Sequence, residues 1–400
     1  MRKFLIAVLV AGTLFPTHLF AADAPTVIPA NGSHIEATNF YQVRMETFTV
    51  PSATSLISAV SGNKIFIGDR PSRTIWLASL GKSAITLERT ITVPEPLNKY
   101  HKSNSIIDML ATKTDLFVIA VDGVDSSSTA CGGAKIYDFS IANLDAKPKL
   151  LFTSSPCVHG EIFWDARLAI NGDTLYIAGG NALAKNDDGT FPGPDSQDFI
   201  EGDKFPVTNY FGAVSAINIK TKKSTLIATG LRHLGGMYYD ATRKVLWESE
   251  NGPRGGDELN IIVKGKNYGW PQVTLGRPYD FLESPKGVKS NSIGKSEAPI
   301  YGWTPSISPS TVRKVPTTGE FSKYWSGDLL VGSLKGKQLR RLKISAKNTV
   351  MYDEPIYVGN RIRSFDILSD GRLLCATDEG TIVLLSDTQL VGTGEFPPKS

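Results

Sequence analysis

The stretch GDLLVGSLKG, Gly327–Gly336, followed at once by QLRRLKI, Gln338–Ile344, reads as two β-strands joined by a tight turn. A polar turn opens it, a short apolar run follows, and glycine breaks the run before the chain returns. Five further runs share this pattern: NKIFIGDR from residue 63, TDLFVIAVDG from 114, DTLYIAGGN from 173, RKVLWESENG from 243 and GRLLCATDEG from 371. Several are followed by a second strand, as in RTIWLASL, GAVSAINI and TIVLLSD. Successive starts lie 44 to 84 residues apart, the extremes being 371 after 327 and 327 after 243. That range fits four-stranded blades with loops of variable length.

No long amphipathic helical period interrupts the series, and 37 Gly and 23 Pro punctuate the chain. The sequence therefore predicts an all-β fold, a six-bladed β-propeller of four-stranded antiparallel blades. A pair of β-sandwiches is the alternative that such a strand pattern leaves open. The expected division is a secretory signal over 1–21, an N-terminal extension with the first strands over 22–50, one propeller domain over 51–390 and a tail over 391–400. In a propeller the loops between blades converge on one end of a central channel, so distant segments build a single site.

At 400 residues and 41% hydrophobic content the chain can fill a sizeable core. Its start, MRKFLIAVLVAGTLFPTHLFAADA, has two cations, an apolar run too short for a comfortable membrane span and small residues near Ala21. This pattern predicts export, to the periplasm or beyond, and no membrane insertion. Of three cysteines, Cys131 and Cys157 are a candidate bridge, whereas Cys375 sits in an apolar run as a buried thiol. A net charge of +4 is spread evenly and gives no argument for nucleic acid. There is no phosphate-binding loop, dinucleotide fingerprint, paired-histidine zinc helix or paired CxxC.

Arg232, Lys335, Arg361 and Arg363 lie at turns or strand edges of successive repeats, where channel-facing loops are expected. Each alone reads as an ordinary surface charge. Together they would repel one another unless an anion sat among them, and a polycarboxylate or a phosphate is the simplest such ligand. Arg361 and Arg363, two apart on a strand, are expected to share a face. The stretch SENGPRGGDE, Ser249–Glu258, is rich enough in glycine to turn backbone carbonyls inward, and Asp257 and Glu258 offer carboxylates to a hard cation such as calcium.

These residues also carry a resemblance. SENGPRGGDELNIIVKGKNYGWPQVT, with GLRHLGG about 20 residues before it, resembles the glucose/sorbosone dehydrogenases, soluble aldose dehydrogenases that use pyrroloquinoline quinone (PQQ). WTPSISPS, YWSGDLLVGSLKGKQLRRL and NRIRSFDILSDGRLLCATDEG are similar to later segments of that family in the same order, so the likeness runs from about residue 165 to 387. The resemblance implies a six-bladed propeller with PQQ over the channel mouth and calcium on its quinone side. It places Arg232, Ser306, Lys335, Arg361 and Arg363 around the cofactor, with Asn251 as a side-chain contact and the carbonyls of Gly252 and Pro253 as calcium ligands. Glu258 and the YGWP turn would hold a second calcium. The implied reaction removes hydride from the anomeric carbon of an aldose while a histidine takes the hydroxyl proton, yielding a lactone and passing electrons to an external acceptor. The implied assembly is a monomer or a homodimer.

The chain departs from that family at the expected base. The family's histidine stands four residues before an arginine matched here by Arg167, but position 163 is Phe, and His159 precedes Arg167 by eight residues. His159 is thus the candidate base, with Arg167 beside it. The aspartate that orients the family's histidine is replaced by Gly180, and Asp165 is an alternative partner or base. In RHLGG, His233 and Gly235 stand where the family has two amide side chains, so His233 is a candidate cofactor contact or even the base. The insert Asn181–Gly212 is expected to be a loop in the wall of the substrate site. A propeller that binds a sugar or another anion without turnover is the alternative function, and a calcium-dependent lactonase is a third.

Overall fold

In the computed structural model each of the six quoted runs forms the second strand of a small antiparallel sheet, and six such sheets stand in a ring as a six-bladed β-propeller. The structure describes residues 24–96, 98, 104–123, 133–154, 161–163, 165–180, 183–185, 211–270, 272–277, 289–290 and 293–388. The proposed signal, Cys131, Cys157, His159 and nearly all of the Asn181–Gly212 insert lie outside them.

From the channel outward, blade 1 uses Leu56–Ser61, Lys64–Asp69, Thr74–Leu80 and Ala84–Thr92, and blade 2 uses Ser105–Ala111, Asp115–Asp122, Gly133–Ser140 and Lys149–Thr153. Blade 3 follows with Ala166–Asn171, Thr174–Gly179, Ala213–Asn218 and Ser224–Thr229, and blade 4 with Leu234–Asp240, Val245–Glu250, Asp257–Ile262 and Tyr301–Trp303. Blade 5 is built from Pro309–Lys314, Leu329–Ser333, Gln338–Ile344 and Val350–Tyr357. Blade 6 takes Ile362–Ile367, Leu373–Thr377 and Thr381–Asp387 from the end of the chain and Gln42–Thr49 from its beginning. The antiparallel ladder from Val43↔Asp387 to Thr49↔Thr381 closes the ring. The segment before residue 51 also covers edges, Gly32–Ala37 on blade 6 and Thr26–Pro29 on blade 1.

The second strands are legible because a blade packs on both faces. Their apolar runs are continuous rather than alternating, as in Leu116–Val121, where every residue is fully buried. Six apolar clusters fill the gaps between neighbouring blades, such as Phe117, Ile136 and Ile177 between blades 2 and 3. Cys375 is a buried free thiol inside the packing of blades 5 and 6. The one helix among the described residues is the single turn Ser322–Trp325. None is long and apolar enough to cross a membrane.

Four innermost strands carry a register break close to where they enter the channel, leaving Ile107, Gly235, Ser310 and Arg363 as extra residues. A bulge of this kind bends the strand and re-aims side chains and carbonyls. These breaks shape the channel mouth.

Candidate active site

The loops that feed the innermost strands of blades 4, 5 and 6 surround a cavity of about 740 Å³ at the mouth of the channel. Its wall holds Arg232, His233, Asn251, Gly252, Pro253, Arg254, Thr304, Ser306, Ser308, Lys335 and Arg361. Of the residues singled out in the sequence, Arg232, His233, Asn251, Gly252, Pro253, Ser306, Lys335 and Arg361 therefore meet in one space. Arg254 adds a fourth full cation, and no aspartate or glutamate lines the cavity among the described residues. The Lys335 ammonium has no protein partner among the described residues, although its backbone amide donates to the Ile307 carbonyl at 3.1 Å.

The stretch from Ser249 to Glu258 is wound tightly against its neighbours. Gly255 and Gly256 hold φ of 82° and 67°, and a Cβ on Gly256 would stand 2.2 Å from the Gly276 nitrogen. Only glycine meets both demands. Asp257 staples this loop to the next one: its Oδ2 accepts from the Ser306 hydroxyl at 2.8 Å and the Ile307 and Ser308 amides at 2.8 and 2.7 Å, and its Oδ1 accepts from the Gly252 amide at 3.0 Å. The carboxylate expected to serve a cation thus serves four donors of the protein. The Ser306 hydroxyl lines the cavity with its proton committed to Asp257.

Arg232 reaches the cavity across the Trp270 ring, 5.1 Å from its centroid, and donates to the Asn251 carbonyl at 2.8 Å. The Asn251 amide nitrogen is directed away from the cavity's centre, to the carbonyls of His233 and Pro309 at 3.3 and 3.2 Å. Arg361 and Arg363 converge by another route than strand alternation, because Arg361 precedes its strand and Arg363 is the bulge residue. Both donate to Asp378, Arg363 through two bonds of 2.8 and 2.6 Å. Arg361 lines the cavity, whereas Arg363 is not part of its wall. Burial alone would raise the Asp378 carboxyl, but Arg363 and Ser55 hold it down to about 2.

Arg70, at the end of the quoted run NKIFIGDR, is buried within the field of Arg363, Asp165, Arg167 and Asp378, and the sequence reading passed over it. Burial and the neighbouring Arg363 lower its guanidinium to about 9. Its signal was positional: it closes the second strand of blade 1, as cavity residues close the strands of blades 4 and 5. Arg167 is buried below the mouth and crosses from blade 3 to donate to the carbonyls of the bulge residues Gly235 and Ser310. It acts as a tie between blades and is not part of the cavity wall. Gly235 has no room for a side chain, since a Cβ there would stand 2.1 Å from the Pro309 oxygen.

His233 and Asp165 meet through Nε2 and Oδ2. Burial pulls the Asp165 carboxyl up, but His233, Arg167 and Arg363 outweigh it and hold the group well below the usual carboxylate range. Glu258 stands apart in an adjoining pocket with Glu250, Tyr268 and Trp270. Burial and its bond with Glu250 push its carboxyl well above the usual range. Among the described residues no group of three or more His, Cys, Asp or Glu side chains is arranged to hold a metal.

The Glucose / Sorbosone dehydrogenase family matches residues 129–385. The chain is 35% identical over 158 residues to the aldose sugar dehydrogenase YliI of Escherichia coli, covering 39% of this chain and 42% of that protein. It is 27% identical over 279 residues to quinoprotein glucose dehydrogenase B of Acinetobacter calcoaceticus, covering 57% and 54%. The matches thus span about half or less of these curated relatives. The E. coli soluble aldose sugar dehydrogenase, solved in its apo form, superposes with a TM-score of 0.68 at 22% identity, over 86% of this chain and 99% of that one. The Streptomyces coelicolor aldose sugar dehydrogenase, solved in a PQQ-bound form, gives 0.60 at 16% identity, over 92% and 99%. At these identities the two structures establish the shared fold.

Proposed function

Because the chain belongs to the glucose/sorbosone dehydrogenase family, we propose that it is a PQQ- and calcium-dependent aldose dehydrogenase that oxidises the anomeric carbon of a sugar to a lactone. The observation that carries this reading is the charge of the cavity, with four cations in its wall and no acid among the described residues. A neutral sugar alone gives no reason to assemble such a wall, whereas a planar tricarboxylate does. The naming of relatives as a quinoprotein and as aldose sugar dehydrogenases supports the same cofactor and substrate class.

The residues fit the cofactor in kind. Arg232, Arg254, Lys335 and Arg361 would hold its carboxylates, and Ser306 and Ser308 offer hydroxyl oxygens. Gly252 and Pro253 offer carbonyl oxygens of the type calcium takes. When bound, PQQ supplies the two-electron oxidant, with calcium as its Lewis acid. The protein's work is to orient sugar and cofactor on a rigid rim, to keep the cation wall charged and to receive the hydroxyl proton. Electrons then leave to an external acceptor, and export to the periplasm is part of the proposal.

The test is reconstitution of the purified protein with PQQ and calcium, followed by cofactor absorbance and reduction of a dye on addition of a panel of aldoses. Uptake, cofactor reduction and dye turnover are expected with at least one sugar. Absence of uptake would sink the reading.

A further inference from the structure

The His233–Asp165 pair brings together residues far apart in the chain, at the edge of the cavity that, among the described residues, carries its one imidazole. His233 lines the cavity with about a third of its side chain exposed, and Asp165 lies behind it at 10% exposure. His233 is held through its backbone and through its ring. Its backbone carbonyl accepts from the Asn251 amide at 2.8 Å and from the Asn251 side chain, while its Nε2 is held by Asp165. Gly180 makes the space for this arrangement: a Cβ there would stand 3.2 Å from the Arg232 oxygen, 3.4 Å from the Asp165 Cβ and 3.6 Å from the His233 Cα. A side chain at 180 would crowd the Arg232 carbonyl and pack directly on the pair, and the strand-end partner of Gly180 is Asp165, whose carbonyl accepts from the Gly180 amide at 2.9 Å.

We propose that His233, oriented by Asp165, is the proton acceptor of this dehydrogenase. The proposal rests on the aldose-dehydrogenase reading and assigns a residue to it. An ionised carboxylate only accepts hydrogen bonds, so the nitrogen it holds must carry the hydrogen; Nε2 is protonated and Nδ1 bears the lone pair. In the reaction the sugar O–H bond breaks and its proton goes to Nδ1 of His233. The carbon–oxygen bond becomes double as the anomeric C–H bond breaks, and the hydride carries both electrons to the quinone-class oxidant. The imidazolium formed is stabilised by Asp165, against Arg232, Lys335 and Arg361 in the same cavity and with Arg167 and Arg363 behind the acid. Asp165 is a positioning residue.

Two measurements on the full-length protein test this. In cofactor-free protein labelled with ¹⁵N-histidine, His233 is expected as the Nε2–H tautomer at neutral pH, with that preference lost in Asp165→Asn; a Nδ1–H tautomer in the parent overturns the proposal. After reconstitution with PQQ and calcium, His233→Gln should take up cofactor nearly as the parent does but lose turnover by about 100- to 10,000-fold. Asp165→Asn should lower kcat with KM nearly unchanged, with part of the loss restored in Asp165→Glu. Unimpaired turnover in His233→Gln, or unimpaired kcat in Asp165→Asn, overturns the proposal alone. Parent protein that takes up no PQQ overturns the aldose-dehydrogenase reading and the proposal with it.

Discussion

Arg361 and Arg363 show how far single residues can be read. Their pairing was legible as two cations with one spacing, but its cause was not, because the bulge at Arg363 replaces strand alternation and Asp378 is the group that gathers them. Lys335 is the cleaner case, a cation of the cavity wall with no protein partner among the described residues. Removing one charge-assisted hydrogen bond to a cofactor carboxylate should weaken binding about 10- to 100-fold. Lys335→Met is therefore expected to weaken PQQ uptake by that factor with little change in melting temperature, as titration of cofactor absorbance would show. Asp378→Asn acts on stability instead. A carboxyl held down to about 2 binds its proton later than in the unfolded chain, so its contribution is complete above the ordinary carboxylate range and is lost as pH falls towards 2. Melting temperature against pH should fall between roughly pH 4 and 2 in the parent, and less steeply in Asp378→Asn.

At the scale of elements, the loop from Ser249 to Glu258 joins sequence pattern to site. Its glycines predicted an unusual backbone, and the structure supplies the reason: Gly256 combines a left-handed φ with a neighbouring backbone 2.2 Å from any Cβ. Gly256→Ala should cost about 2 kcal/mol or more, read from the urea midpoint at constant slope. Asp257 looked like a metal ligand in the linear sequence because its four donors come from loops up to 51 residues away. Asp257→Ala leaves several of those donors without a partner and should destabilise by about 2 to 4 kcal/mol while also weakening PQQ uptake. Calcium ligation at Asp257 would instead make the melting loss disappear when calcium is removed from the parent.

The whole molecule depends on closure. Gln42–Thr49 completes blade 6 from the opposite end of the chain, so the ring is fastened by one ladder between the first and last parts of the propeller. Deleting residues 24–49 removes that strand, exposes an edge next to the core of blades 5 and 6, and uncovers Val383 and Leu385. The expected result is aggregation or loss of a cooperative melt, whereas deleting residues 24–37 alone, which removes only outer edge strands, should leave a cooperative melt. Size-exclusion profiles and circular dichroism of the two deletions decide between these outcomes.

The sequence by itself determined the blades, because strands packed on both faces must be continuously apolar and such runs are visible one at a time. It also marked three of the four cations of the cavity wall, Arg232, Lys335 and Arg361, because basic residues at turns and strand edges of successive repeats are local patterns. The tertiary structure decided the rest. Asp165 beside His233, Asp378 between two arginines, Arg70 and Arg167 buried among the inner strands, and Asp257 as a staple all depend on contacts between distant parts of the chain. Which acid meets which base in a propeller is set by the ring's closure, which brings residues from different blades within reach of one another.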